Sequence, residues 1–336
     1  MVRTGIVGVT IGGVAGYAMK TMQARLLLGA MGVLVAGCSI NRIAINKLGN
    51  ALAESGTTFA SDDDPELVGA AIPFSLKLVE SLLASAPEHR GLLFAAASGF
   101  TKYAYAYVQQ RAEMLEDQDL AQATLEHIRA RRMYIRARDY GLRGLATRHR
   151  GFAERLRADP RVAVRPATVE DVPLLYWTAA AWGSAISLSK DNPEMIADQR
   201  LMEALIDRAF ELDPTWDAGA IHGFLITYEM SRQGVRGDPA ERSRAHFDRA
   251  VALSDGKLAA PFLSYAEAVS IPRQNRREFE SLLQRALAIN PDERTEWRLA
   301  NLIMQRRARW LLSRVDDLFL DALPPARRDS LEHLSQ

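Results

Sequence analysis

From Pro65 onward, apolar residues recur every three or four positions, alanine is abundant, and the two-residue alternation of a half-buried strand is hard to find. A chain with that period buries its apolar stripes by packing helix on helix. Prolines punctuate the pattern at Asp64-Pro65, Ala86-Pro87, Asp159-Pro160, Val172-Pro173, Asn192-Pro193, Asp213-Pro214, Asp238-Pro239, Ile271-Pro272 and Asn290-Pro291. An Asp or Asn ahead of proline suits a helix start: the side chain caps free backbone amides, and proline occupies the first turn, where no donor is missed. The spacing predicts an all-α body of about a dozen helices.

Several helix endings share one form. Leu205-Ile206-Asp207-Arg208-Ala209-Phe210-Glu211-Leu212-Asp213-Pro214 matches Leu282-Leu283-Gln284-Arg285-Ala286-Leu287-Ala288-Ile289-Asn290-Pro291, with Phe247 to Asp255 between them and a looser copy at Val79 to Pro87. In each, alanine precedes a polar turn and another amphipathic helix follows. The second helix of a tetratricopeptide (TPR) unit ends this way, because a small residue admits a close neighbour and stacked units bury together what none buries alone. Ala209, Ala250 and Ala286 stand 41 and 36 residues apart, longer than the usual period of about 34, so the expected fold is a degenerate, TPR-like helical repeat bundle. Any capped amphipathic helix ending in Asn-Pro or Asp-Pro shares these features, and that plainer reading stays open.

The one cysteine stands in Leu34-Val35-Ala36-Gly37-Cys38, a lipobox. Lys20 and Arg25 precede an apolar run from Leu26, which at about a dozen residues is short of the roughly 20 that span a bilayer. Charge, apolar run, small residues and cysteine follow the order of a secretory signal. On this reading the Cys38 thiol takes a diacylglycerol, cleavage leaves Cys38 at the N-terminus, and further acylation turns marginal attachment into a lasting anchor. The alternative is a small-residue stretch with a buried cysteine. Ser39, where aspartate is absent, favours the outer membrane, so the expected location is the periplasm, lipid-anchored. Met19 is the preferred start, because Met1 to Ala18 adds an apolar segment that a signal does not need. The expected division is a signal peptide over 1–37, a lipidated N-terminus and linker over 38–60, the TPR-like domain over 61–323 and a C-terminal tail over 324–336.

With 42 basic and 41 acidic side chains the formal charge is +1, so no global field favours nucleic acid, and no nucleic-acid partner is expected. With no second cysteine there is no internal disulfide, and stability rests on packing. Phe100, Tyr103, Tyr107 and Met114 share one face of a long helix, with Tyr105 elsewhere. The basic run Arg129-Ala130-Arg131-Arg132-Met133-Tyr134-Ile135-Arg136-Ala137-Arg138 is either a solvated face or a docking patch for an acidic surface. Leu174 to Lys190 sets Tyr176, Trp177 and Trp182 among alanines and glycine, which suits close helix packing or the wall of a pocket.

No catalytic constellation stands out. The cysteine is assigned to lipid, so neither a Cys-His pair nor a Ser triad with its base and orienting acid can be drawn. His89, His127, His149, His222, His246 and His333 are scattered singly without zinc-ligand spacing, so no metal is expected. No phosphate-binding glycine loop lies in the body, and Glu267 or Asp316-Asp317 lack a second catalytic group. No cofactor and no enzyme activity are expected.

At Leu174 to Asp198 and at Arg298-Leu299-Ala300-Asn301-Leu302-Ile303-Met304-Gln305-Arg306-Arg307-Ala308-Arg309-Trp310-Leu311-Leu312, the sequence resembles the TatT family, the T component of TRAP transporters. Glu80 to Leu83, Tyr103 to Tyr107, Arg138 to Arg143 and Ser313 to Phe319 extend the resemblance over nearly all of the mature chain. It implies a periplasmic lipoprotein, a homotrimer around a central opening, working beside the solute-binding protein and membrane subunits of an ion-gradient-driven transporter. It carries no catalytic residues over, and it carries the lipid site only to Cys38. A small hydrophobic ligand suits an aromatic-lined helical groove, for which the expected residues are Tyr103, Tyr107, Trp177 and Trp182, with Lys190 and Arg309 at the polar edge. The rival reading is a TPR-like lipoprotein scaffold for envelope assembly that handles no solute.

Overall fold

Helix caps and prolines set the element boundaries of a computed structural model that describes residues 56–320. No β-strand occurs among the described residues, and the chain is all-α. The helices are α1 (Gly56–Ala60), α2 (Pro65–Ser85), α3 (Arg90–Tyr103), α4 (Gln110–Leu115), α5 (Leu120–Ala146), α6 (Phe152–Ala158), α7 (Pro160–Val164), α8 (Val172–Ser187), α9 (Pro193–Ala197), α10 (Gln199–Leu212), α11 (Trp216–Tyr228), α12 (Pro239–Leu253), α13 (Ala260–Tyr265), α14 (Arg276–Leu287), α15 (Arg298–Leu312) and α16 (Val315–Leu318). Two π-helical segments interrupt the regular turns: Ala104–Gln109 joins α3 to α4, and Ala266–Ser270 follows α13.

The proline joints work as the sequence suggests at four starts. The Asp64 carboxylate accepts from the amides of Glu66 and Leu67 at 3.0 and 2.9 Å, and Asp159, Asn192 and Asp238 cap α7, α9 and α12 likewise, each with proline in the first turn. Asp213 and Asn290 instead brace the linking turns, accepting from the amides of Thr215 and Asp292.

Three apolar cores run along the chain. The first joins α2, α3 and α5 through Leu76, Leu92, Phe100 and Tyr134; the second joins α6, α8, α10 and α11 through Phe152, Leu175, Leu205 and Leu225; the third joins α12 to α15 through Phe247, Phe262, Phe279 and Leu311. Ala209, Ala250 and Ala286 are buried at matched places on α10, α12 and α14, whereas Ala84, in the looser copy, is exposed. Successive helices pack as neighbours, and then the C-terminal end returns to the start. Ala106 from the first π segment lies in the third core, Arg298 donates to the Ser61 carbonyl at 2.9 Å, and Arg306 pairs with Glu66 at 3.0 Å.

Candidate functional site

The first π segment decides which side chains turn toward the interior. A π-turn carries one extra residue per turn, and from this segment Tyr105, which helical spacing sets apart from Phe100, Tyr103 and Tyr107, meets the C-terminal helices. There Arg307 of α15 bonds Glu267 through two nitrogens, Nη2 to Oε1 at 2.6 Å and Nε to Oε2 at 3.0 Å, and reaches Glu113 Oε2 with Nη1 at 2.6 Å. Burial alone would pull the Arg307 guanidinium pKa down; Glu267 first, then Tyr105 and Glu113, outweigh it, and the pKa rises. Burial pushes the Tyr105 phenol up to about 12, against the pull of Arg307. Both π segments thus supply a partner to this buried charge cluster. Beside it Gln110, 1% exposed, has neither amide atom hydrogen-bonded within the protein, a costly arrangement for a buried polar group.

One turn before Tyr105 on the same helix, Lys102 places its ammonium 4.9 Å from the centre of the Trp177 ring. Tyr176 meets Trp177 edge-on at 5.0 Å and Trp216 at 4.9 Å between ring centres. Water reaches Lys102, which is exposed, yet surrounding protein desolvates its ammonium enough to lower the pKa, with Asp217 opposing. Burial, with Asp217 adding, raises the Tyr176 phenol well above its ordinary value. Asp217 opens α11 on an unusual backbone: Asp217, Ala218 and Gly219 have φ of 49°, 51° and 88°, all in the left-handed region. Two of these are not glycine and are strained there.

Of the six side chains that the sequence assigns to a pocket, Trp177 alone belongs to this aromatic cluster. Tyr103 is buried and stacks on Tyr107 at 5.5 Å, while the Tyr107 hydroxyl donates to the Pro65 carbonyl at 2.9 Å, so this pair ties α2 to the first π segment. Trp182 is 1% exposed in the second core, under the Arg138 guanidinium at 5.0 Å. Lys190 is exposed in the turn after α8, and Arg309 is exposed on α15 two residues past the buried Arg307, on another side of the helix. The six are not gathered into one place. Cys38 lies outside the described residues. Sequence reasoning set Tyr176 in a segment suited to packing or a pocket wall but missed Lys102, Tyr105, Trp216, Asp217 and Arg307, since no residue pattern announces a π-turn or a left-handed run.

Two other sequence features find their places. His222 and His246, singletons in the sequence, bring their Nδ1 atoms to 2.8 Å between α11 and α12, both against Phe210. In the basic stretch of α5, Arg129, Arg136 and Arg138 pair with Glu126, Glu80 and Asp139 respectively, and Arg132, Ile135, Arg136, Asp139, Tyr140 and Arg143 line an exposed groove. Among the described residues no group of three His, Cys, Asp or Glu side chains is placed to hold a metal ion.

Two comparisons bear on this arrangement. The family model described as TRAP transporter T-component matches residues 61–319, which take in α2 to α16. An uncharacterized protein of Treponema pallidum (strain Nichols) is similar, 29% identical over 307 residues, which cover 86% of this chain and 95% of that protein.

Proposed function

The chain belongs to the TRAP transporter T-component family, and on that premise we propose that it docks the transporter's solute-binding protein in the periplasm while a lipid on Cys38 holds it to the outer membrane. As a member of that family it is an accessory component of a transporter and not one of an enzyme family. The observation that carries the proposal is the extent of the family match, 61–319, which takes in every core, the charge cluster and the aromatic cluster beside Lys102.

On this reading the helical body, TPR-like and trimeric, is a platform. Its exposed α5 groove, edged by Arg132, Arg136 and Arg143, offers cations to an acidic partner surface, and the aromatic cluster beside Lys102 offers a path or resting place for a small ligand with apolar character. Tethering raises the effective concentration of one partner for the other, so weak docking suffices. Nothing in the platform needs ATP, because transport of this class draws on an ion gradient.

The test is co-purification. A tagged full-length chain, recovered from detergent-solubilised envelopes after mild cross-linking, is expected to bring down the solute-binding protein encoded with it. Recovery of outer-membrane assembly factors in its place would overturn the proposal in favour of the scaffold reading.

A further inference from the structure

α2 buries little for so apolar a helix: of its most apolar 18-residue stretch only 22% is buried. At 3.6 residues per turn, Leu67, Ala70, Ala71, Phe74 and Leu78 share one face, turned away from Leu76, Val79 and Leu83, which enter the first core. Phe74 is 74% exposed and Leu67 60%. A continuous apolar strip of this kind is what a partner helix covers.

The charges beside the strip identify the partner. Glu66 and Lys77 are 11 positions apart, about three turns, so both stand on one edge of the face, near its two ends. About 16 Å of helix separates them, too far to pair within one chain. Their side chains are 78% and 70% exposed. Each has a neighbour in its own chain, Arg306 for Glu66 and Glu80 for Lys77, but Glu66 uses one oxygen there and an ammonium keeps further donors. The midpoint between the two charges and the midpoint of the strip from Leu67 to Leu78 coincide to within about one residue, near Ala71 and Ile72. A two-fold axis at that point lays the strip on its own copy with the helix direction reversed. In an antiparallel pair the same edges meet, so each Glu66 comes level with the Lys77 of the other copy.

We propose that α2 packs antiparallel on α2 of a second copy of this chain, with Phe74 of each over the small Ala70 of the other and two Glu66–Lys77 ion pairs along the edge. An unlike partner would not require an acid and a base placed symmetrically about the apolar midpoint. The contact is isologous and two-fold, whereas a three-fold ring closes through two different patches, so the proposal goes beyond the platform reading and does not rest on it.

The test uses full-length protein in detergent carrying Cys38→Ser, so that an introduced cysteine is the only thiol. Position 71 comes level with its own copy to within about 2 Å along the helix, whereas the two copies of position 84 lie about 37 Å apart. Mild oxidation is expected to link Ala71→Cys into a disulfide dimer and to leave Ala84→Cys, exposed on the same helix, unlinked. Adding Phe74→Glu to Ala71→Cys is expected to cut the dimer at least about tenfold. Glu66→Lys and Lys77→Glu are each expected to lower the yield, and the two together to restore it. All three side chains are exposed, and unchanged circular dichroism melts are expected to show that the variants fold. No dimer from Ala71→Cys, equal linking of Ala84→Cys, or a yield that Phe74→Glu leaves unchanged would overturn the proposal. So would Phe74→Glu lowering recovery of the solute-binding protein where no dimer forms, which would give the face to that partner. Loss of the solute-binding protein from the co-purification, with the dimer intact, would instead count against the platform reading alone.

Discussion

Arg307 answers two carboxylates at once and is the residue on which the two ends of the chain depend. Glu267 arrives from the second π segment, Glu113 from α4, and both are partly covered by protein. Replacing Arg307 by methionine keeps the packing volume but leaves two negative charges facing each other, and breaking a buried pair from one side typically destabilises by 3–5 kcal/mol. Arg307→Met is expected to lower unfolding free energy in urea by about 3 kcal/mol, and Arg307→Lys to recover less than half, because an ammonium cannot make the two-nitrogen contact with Glu267. His222 carries the clearest pH dependence. Burial first, then His246 and Arg249, lower its pKa from 6.5 to about 4. The unfolded chain therefore binds more protons than the native one between those values, and stability falls as pH drops from 6.5 toward 4. Urea unfolding is expected to show a loss of roughly 2 kcal/mol from pH 7 to pH 4, much of it absent in His222→Gln. A pH-independent midpoint over that window would refute the assignment.

Helix against helix, α5 on α8 is the most extensive contact among the described residues, and Gly141 and Gly144 of α5 stand against Thr178 and Leu174 of α8. A Cβ at Gly141 would lie 3.0 Å from the Thr178 Cβ and 3.3 Å from its Cα, and Thr178 cannot turn away because its hydroxyl is buried and donates to the Leu174 carbonyl. Alanine would improve helix propensity by about 1 kcal/mol, but forcing apart a close-packed crossing costs about 1–3 kcal/mol, and here backbone atoms stand in the way. Gly141→Ala is expected to destabilise by about 1–2 kcal/mol net, whereas Gly223→Ala, whose Cβ would meet nothing within 4 Å, is expected to stabilise slightly; differential scanning calorimetry separates the two signs. At this scale the sequence is most readable. Asp64, Asp159, Asn192 and Asp238 announce their helices because capping is local chemistry, settled by the neighbouring amides alone. The π segments are not announced, since Ala104–Gln109 and Ala266–Ser270 keep ordinary helical composition. Contacts between segments far apart in sequence, such as Lys102 over the Trp177 ring and Arg307 on Glu113, are likewise set by packing and leave no local mark.

The whole molecule closes on itself, and that closure bears on how it meets a membrane. α2 is the one described helix whose length and composition, with a mean hydropathy of 1.6, would permit it to cross a bilayer. Its inner face belongs to the first core through Leu76, Val79 and Leu83, and its start receives Arg306 and the Tyr107 hydroxyl from distant parts of the chain. Pulling α2 into lipid would dismantle that core and the junction between the chain's two ends. The exposed side chains left on it, Leu67 and Phe74, the latter 74% exposed, are too few for more than a weak interfacial contact, and a net charge of +1 adds no general attraction to anionic lipid. On the proposed reading stable anchoring comes from lipid on Cys38, where each buried methylene contributes about 0.8 kcal/mol and two or more chains make attachment lasting. The full chain is accordingly expected to incorporate labelled palmitate and to stay with membranes through a high-salt wash. A chain beginning at Ser39 behind a conventional cleavable leader is expected to incorporate none and to appear in the periplasmic extract with the same melting temperature. Retention of that second form on membranes, through salt, would assign the anchor to α2 and its surroundings and remove Cys38 from the account.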